Sequence, residues 1–219
     1  MKSSPAKNAV TLIELIIVLA VIVILASIAI TVGARIEAQG KERLTEGSFE
    51  IINAALTQFR DYGYNYKGAD FRDFDFPIDC NDFTVAQVEG KINTAIGNDV
   101  VIDNYSDQNF SGSSAMYFLL SRVPASRKTL EQIDESLVTN KDENGNYLQI
   151  TVGTAPGQNS YAFNRIIDAW GTTIVYDYYD ESLSDTGERY NSRRNFPLLI
   201  SAGPDKRFGT DDDIKSRIK

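Results

Sequence analysis

Val10-Thr11-Leu12-Ile13-Glu14 opens a stretch that stays almost wholly apolar as far as Val32, and its reading governs everything downstream. Between positions 15 and 32 no side chain is charged. As a helix rising ~1.5 Å per residue this run is about 27 Å long, close to the thickness of a bilayer hydrocarbon core. It therefore predicts a membrane anchor. Glu14 sits near the start of the run, and a carboxylate at the membrane centre costs on the order of 2.5 to 3.5 kcal/mol on insertion scales. An acid kept in such a place is a functional candidate with a cationic partner. Charge counting does not orient the anchor, because Lys2 and Lys7 precede it while Arg35, Lys41 and Arg43 follow it.

A secretory signal places its cleavage site after the apolar region, and Ala26-Ser27-Ile28-Ala29 is only a weak version of such a site. A plain signal anchor with Glu14 at the interface is the bland alternative. The stretch Asn8-Ala9-Val10-Thr11-Leu12-Ile13-Glu14-Leu15 resembles the class III leader of type IV pilins and type II secretion pseudopilins. The resemblance implies that a prepilin peptidase cuts between Ala9 and Val10, before the apolar helix, so the helix stays on the mature protein. It implies a methylated amine on Val10 and a pairing of Glu14 with the amine of a neighbouring subunit during assembly. It also implies an inner-membrane protein with its leader in the cytoplasm and the residues after about 33 outside. Ala9 stands where the family usually has glycine, and Val10 where it usually has phenylalanine.

Beyond the anchor, Leu44, Ile51, Ile52, Ala55, Leu56, Phe59 and Tyr62 form an apolar stripe at helical spacing. This is the pattern of an amphipathic helix continuing the first. Gly33, Gly40 and Gly47 lie between the two halves, each costing roughly 0.5 to 1 kcal/mol relative to alanine in a helix, and mark expected bends or local melting.

Composition bounds the remainder. The 219-residue chain leaves, after the anchor, enough for one domain of ordinary size. Formal charge is −8, and losing the two leader lysines makes it −10. An acidic surface disfavours nonspecific nucleic-acid binding, which needs Lys and Arg against phosphates, so no nucleic-acid partner is expected. Cys80 is the single cysteine and there is no histidine, which excludes an intramolecular disulfide, a Ser-His-Asp or Cys-His catalytic arrangement and a histidine-based zinc site. Cys80 reads as a packing residue. No enzymatic activity is expected.

The segment 62–83 is rich in Asp, Gly and aromatics, with ring and charge alternating through Phe71-Arg72-Asp73-Phe74-Asp75-Phe76-Pro77. A surface loop with buried rings and solvated carboxylates is preferred over a cation or glycan site. Ser114-Ala115-Met116-Tyr117-Phe118-Leu119-Leu120 reads as a short buried helix capped near Ser113 or Ser114, and Leu130, Ile133 and Leu137 share helical spacing. The second half reads as β-rich, with strand candidates at 147–152, 172–179 and 196–201 that can pair as one antiparallel sheet over the helix. Asp142, Asn144 and Asn146 alternate as in a calcium loop, but Tyr147 and Gly153 stand where an EF-hand needs its glycine and closing glutamate. A turn before a strand is the better reading.

The second strong signal lies at the C-terminus. Asp168-Ala169-Trp170-Gly171-Thr172-Thr173-Ile174-Val175-Tyr176, followed by Leu199-Ile200-Ser201-Ala202-Gly203-Pro204-Asp205-Lys206-Arg207-Phe208-Gly209-Thr210-Asp211-Asp212-Asp213-Ile214, resembles the final sheet and calcium loop of the major type II secretion pseudopilins. Elementary chemistry points the same way. Calcium takes several oxygen ligands from carboxylates and carbonyls, and a Gly-containing turn can bring Asp205 near Asp211, Asp212 and Asp213. Successive aspartates cannot all point inward from a strand, so the first choice is Asp205, Asp212 and Asp213, with Asp211 as alternate. Leu199, Ser201 and Arg207 are candidate carbonyl donors.

The expectation is an α+β, pilin-like fold, with a long N-terminal helix packed on a C-terminal antiparallel sheet. It comprises a leader at 1–9, a membrane and filament-core helix at 10–32, an amphipathic helix at 33–62 and an extracytoplasmic domain at 63–219 with its calcium loop. The expected function is a structural subunit of a type II secretion pseudopilus or related type IV filament. Its expected partners are like subunits, prepilin peptidase, the secretion or pilus assembly machinery and the inner membrane. A membrane-anchored binding module or adhesin is the alternative. An anchored hydrolase is third, since no spacing identifies a catalytic carboxylate pair.

Overall fold

The computed structural model describes residues 12–65, 76–77, 84–103, 111–142, 144–154, 156–178 and 196–216; the side chains of 29–31, 34, 63–65 and 111 are not among those described. The chain divides into two compact units, Met1–Lys41 and Glu42–Lys219. Helix α1 (Leu12–Asn65) contributes to both, and its helical assignment runs through Gly33, Gly40 and Gly47 without a break. A Cβ at any of these three would meet nothing within 4 Å, so no close approach of another element requires a glycine there.

In the first unit every described side chain from 12 to 28 is exposed. Glu14 lies in the first turn of α1, where an acid is favourably placed against the helix dipole. Among the described residues no helix is long and apolar enough to cross a membrane. The span expected over 10–32 includes positions 10 and 11 and the side chains of 29–31, all outside the described ones.

The second unit has one hydrophobic core. The face that α1 gives to it is Thr45, Ser48, Phe49, Ile52, Ala55, Leu56 and Phe59, all buried. Leu44, expected on this stripe, is instead 39% exposed. The buried stripe starts at Thr45 and Ser48, two small polar residues whose oxygens find partners: Ser48 Oγ donates to Thr45 O at 2.7 Å, and Thr45 Oγ1 accepts a backbone N–H from 169. Hydroxyls satisfied in this way can replace apolar side chains in a core.

Helix α2 (Val85–Ile96) opens on Thr84, whose N–H and hydroxyl both bond Gln87 Oε1, and closes on Gly97 with φ +64°. It leads into strand β1 (Val100–Asp103). Helix α3 (Ser111–Arg122) covers the expected buried helix, carrying Ala115, Met116, Leu119 and Leu120 into the core, but it starts at Ser111, so Ser113 and Ser114 lie inside it and do not cap it. Helix α4 (Pro124–Leu130) follows at once, with proline at its first turn. It is tied to α1 by Ser126 Oγ donating to Ala55 O at 2.9 Å and Thr129 Oγ1 donating to Gln58 Oε1 at 2.7 Å. Leu130, Ile133 and Leu137 are all buried but do not share a helix: α4 ends at Leu130 and a 3-10 turn, Glu135–Leu137, begins after Asp134, whose carboxylate caps Ser136.

Among the described residues the strands form three small antiparallel sheets, not the single one expected. They are β1 with β3 (Gln149–Val152) and β4 (Asn159–Ala162), β2 (Val138–Thr139) with β5 (Arg165–Ile166), and β6 (Val175–Asp177) with β7 (Leu198–Ser201) and β8 (Ile214–Lys215). Both edges of β3 are taken by β1 and β4, and both edges of β7 by β6 and β8, so neither has hydrogen-bonding groups left for the other. Asp142 makes the expected turn, accepting from Asn146 N–H at 2.7 Å and Asn146 Nδ2 at 2.9 Å, with Gly145 at φ +84°. Of the aromatic middle segment, Phe76 is buried edge-on against Tyr178 and Phe196, and Tyr176 donates its hydroxyl proton to Pro77 O at 2.7 Å. Cys80, Phe71 and Phe74 lie outside the described residues.

Candidate functional site

Two regions were singled out by sequence. At the N-terminal one, Ala9 and Val10 lie outside the described residues, and Glu14 is exposed on the first turn of α1.

The C-terminal region is the loop 202–213, which joins β7 to β8 and closes on itself through its acids. Asp205 Oδ1 accepts from Arg207 N–H at 2.8 Å; Asp212 Oδ2 accepts from Asp205 N–H at 3.1 Å, while Asp212 Oδ1 accepts the Thr210 hydroxyl at 2.6 Å. Asp213 Oδ2 accepts from Gly209 N–H at 2.9 Å. Thr210 Oγ1 also lies 3.1 Å from Arg207 O. These bonds stabilise the charged form of Asp212, holding its carboxyl below the usual range, with the Thr210 hydroxyl the largest cause and the Asp205 N–H next. Three residues adopt positive φ to make the path: Gly203 at +64°, Lys206 at +60° and Gly209 at +86°. At Gly203 glycine is also a packing requirement, since an added Cβ would collide with the Asp212 carbonyl oxygen.

The residues expected to hold calcium are thus all in or beside one loop. Among the described residues no three acidic or cysteine side chains form a group able to hold a metal ion. Asp205, Asp212 and Asp213 each turn an oxygen to a loop N–H. Asp211 is exposed. Leu199 O accepts from Ser216 N–H at 2.9 Å beside the β7–β8 pairing, so that carbonyl serves the sheet. One oxygen fits a cation: Asp213 Oδ1 is buried without a hydrogen-bond partner.

Behind the loop lies a polar cluster that the sequence reading did not pick out. Asp168 is 1% exposed. Its Oδ1 accepts from Trp170 N–H at 2.9 Å and Thr172 N–H at 2.8 Å, and its Oδ2 accepts the Ser201 hydroxyl at 2.7 Å. Ser201 Oγ in turn accepts from Gly203 N–H at 3.1 Å. The neighbouring Ala169 N–H donates to Thr45 Oγ1 of α1 at 3.2 Å. The turn itself was readable from Asp168 followed by Gly171, which has φ +87°. The crossing to Ser201 was not, because it joins residues 33 positions apart.

Residues 5–30 match the family model described as "Prokaryotic N-terminal methylation motif", which marks a type IV pilin-like leader. The matched segment holds Ala9, Val10 and Glu14. Comparison of the chain with curated proteins and with solved structures returns no match.

Proposed function

We propose that the chain is a structural subunit of a type II secretion pseudopilus or a related type IV filament. The methylation-motif match at 5–30 carries this reading, and the mixed helix-and-antiparallel-sheet architecture is consistent with a pilin-like fold. Prepilin peptidase cuts between Ala9 and Val10, and the apolar helix holds the subunit in the inner membrane with its larger domain outside the cytoplasm. On assembly the same helix packs into the filament core. There Glu14 pairs with the Val10 amine of a neighbour, a charge pair worth far more in an apolar surround than in water. No enzymatic step is assigned to the chain.

Calcium in the C-terminal loop belongs to the same reading. Asp213 would supply a carboxylate oxygen, and Asp205 and Asp212 would share theirs with the N–H groups they already accept from. When bound, the ion would offset the repulsion among Asp205, Asp211, Asp212 and Asp213.

N-terminal mass analysis of protein from membrane and filament fractions tests the main proposal. A chain beginning with methylated Val10 in filaments is the expected result. Intact Met1 in assembled protein would overturn the processing step, and filaments that form normally while excluding the protein would overturn the structural role in favour of an anchored binding module.

A further inference from the structure

We infer that Asp168 is the positioning residue that presets the C-terminal loop and joins it to helix α1. Two of the three donors to its carboxylate, Trp170 N–H and Thr172 N–H, suffice to close its own turn. The third, the Ser201 hydroxyl, comes from the end of β7 and is fully buried. By giving its proton to Asp168, Ser201 Oγ is left with lone pairs for one purpose on the other side, the Gly203 N–H. The chain of donors therefore has a direction: Gly203 N–H to Ser201 Oγ, and Ser201 O–H to Asp168.

That direction requires a carboxylate, which has only acceptors to offer. Asparagine at 168 can keep its oxygen for Trp170 and Thr172, but it then presents an NH2 to Ser201, whose hydroxyl proton loses its acceptor and must turn away from residue 168. Gly203 is the point where the loop folds back on itself, with its Cα against the Asp212 carbonyl. Fixing Gly203 thus fixes the approach of the 203–205 segment to Asp212. On the opposite side the Ala169 N–H holds Thr45 Oγ1, at the start of the buried face of α1. Loop, turn and helix form one unit whose hydrogen bonds all run between protein groups.

Amide hydrogen exchange on the full chain in detergent with a chelator present tests this, comparing wild type with Asp168→Asn, Ser201→Ala and Thr45→Val. Losing a buried hydrogen bond raises local opening, so in Ser201→Ala the amides of Gly203, Asp205 and Arg207 should exchange at least about fivefold faster. Trp170 and Thr172 should keep their protection, as should Gly153, whose N–H bonds Asp99 O at a distant sheet. Asp168→Asn should reproduce the loop effect. Thr45→Val should accelerate Ala169 and Gly203 together. Wild-type protection of the loop in Ser201→Ala, or acceleration spread evenly to Gly153, overturns the positioning role; acceleration of Ala169 alone in Thr45→Val overturns the link to the helix. Adding calcium to the same samples reports on the metal reading separately.

Discussion

Alanine at Gly203 and at Gly209 should have unequal effects, and the difference can be worked from the loop. Both glycines have positive φ, +64° and +86°, so a Cβ at either position carries a backbone penalty of roughly 1–2 kcal/mol. At Gly209 nothing lies within 4 Å of the added atom, and that penalty is the whole effect. At Gly203 the Cβ meets the backbone carbonyl of Asp212, with Asp212 Oδ2 at 3.2 Å behind it. A carbonyl held in a closed loop cannot swing aside as a flexible side chain can. Overpacking of this kind adds about 1–3 kcal/mol. For a unit of the size of Glu42–Lys219, each kcal/mol shifts Tm by about 2–4 °C. Gly203→Ala should therefore melt roughly 2–12 °C below Gly209→Ala. Thermal unfolding of the full-length variants in detergent, followed by circular dichroism, measures the gap. Equal melting temperatures, or a lower one for Gly209→Ala, would show that the loop does not close on Gly203 as described.

Other expectations follow from the same contacts. Leu56→Ala, at a fully buried position of α1, should lower stability by about 2–5 kcal/mol in urea unfolding, and a loss under 1 kcal/mol would place that helix face outside the core. Asp212 has its pKa lowered in the folded state, so the unfolded chain binds the proton more readily; this contribution is fully present above the unfolded value of about 3.9 and is lost as pH falls through the folded one. Thr210→Val, which removes the largest cause, should flatten the acid limb of a Tm-against-pH profile, and an unchanged limb contradicts the assignment. Tyr117 is shifted the other way, raised by burial and secondarily by Glu131 against an opposing bond from Asn164. Its contribution is present below pH 10 and lost as pH rises through the folded pKa, so Tyr117→Phe should reduce the alkaline decline in Tm. Calcium added to chelated protein should raise Tm, and no shift would remove the metal from the proposed function.

The sequence by itself determined the features that depend on neighbours along the chain. The apolar run with Glu14 at its head, the leader, whose motif is matched at 5–30, a buried helix over 114–120, the strand cores and the Asp142 turn all follow from local composition, period or turn chemistry. Tertiary structure decided what depends on which edges and donors meet. Among the described residues three sheets stand where one was expected, with β3 between β1 and β4 and β7 between β6 and β8. The polar start of the α1 stripe at Thr45 and Ser48 is compatible with burial only because partners supply hydrogen bonds. In the C-terminal loop the acids were legible as a cluster but not as acceptors, since a count of aspartates does not reveal that the loop's own N–H groups donate to Asp205, Asp212 and Asp213 one at a time. Asp168 makes the same point: its turn is local and could be read, whereas its bond to Ser201 exists only because folding carries β7 to it across 33 residues.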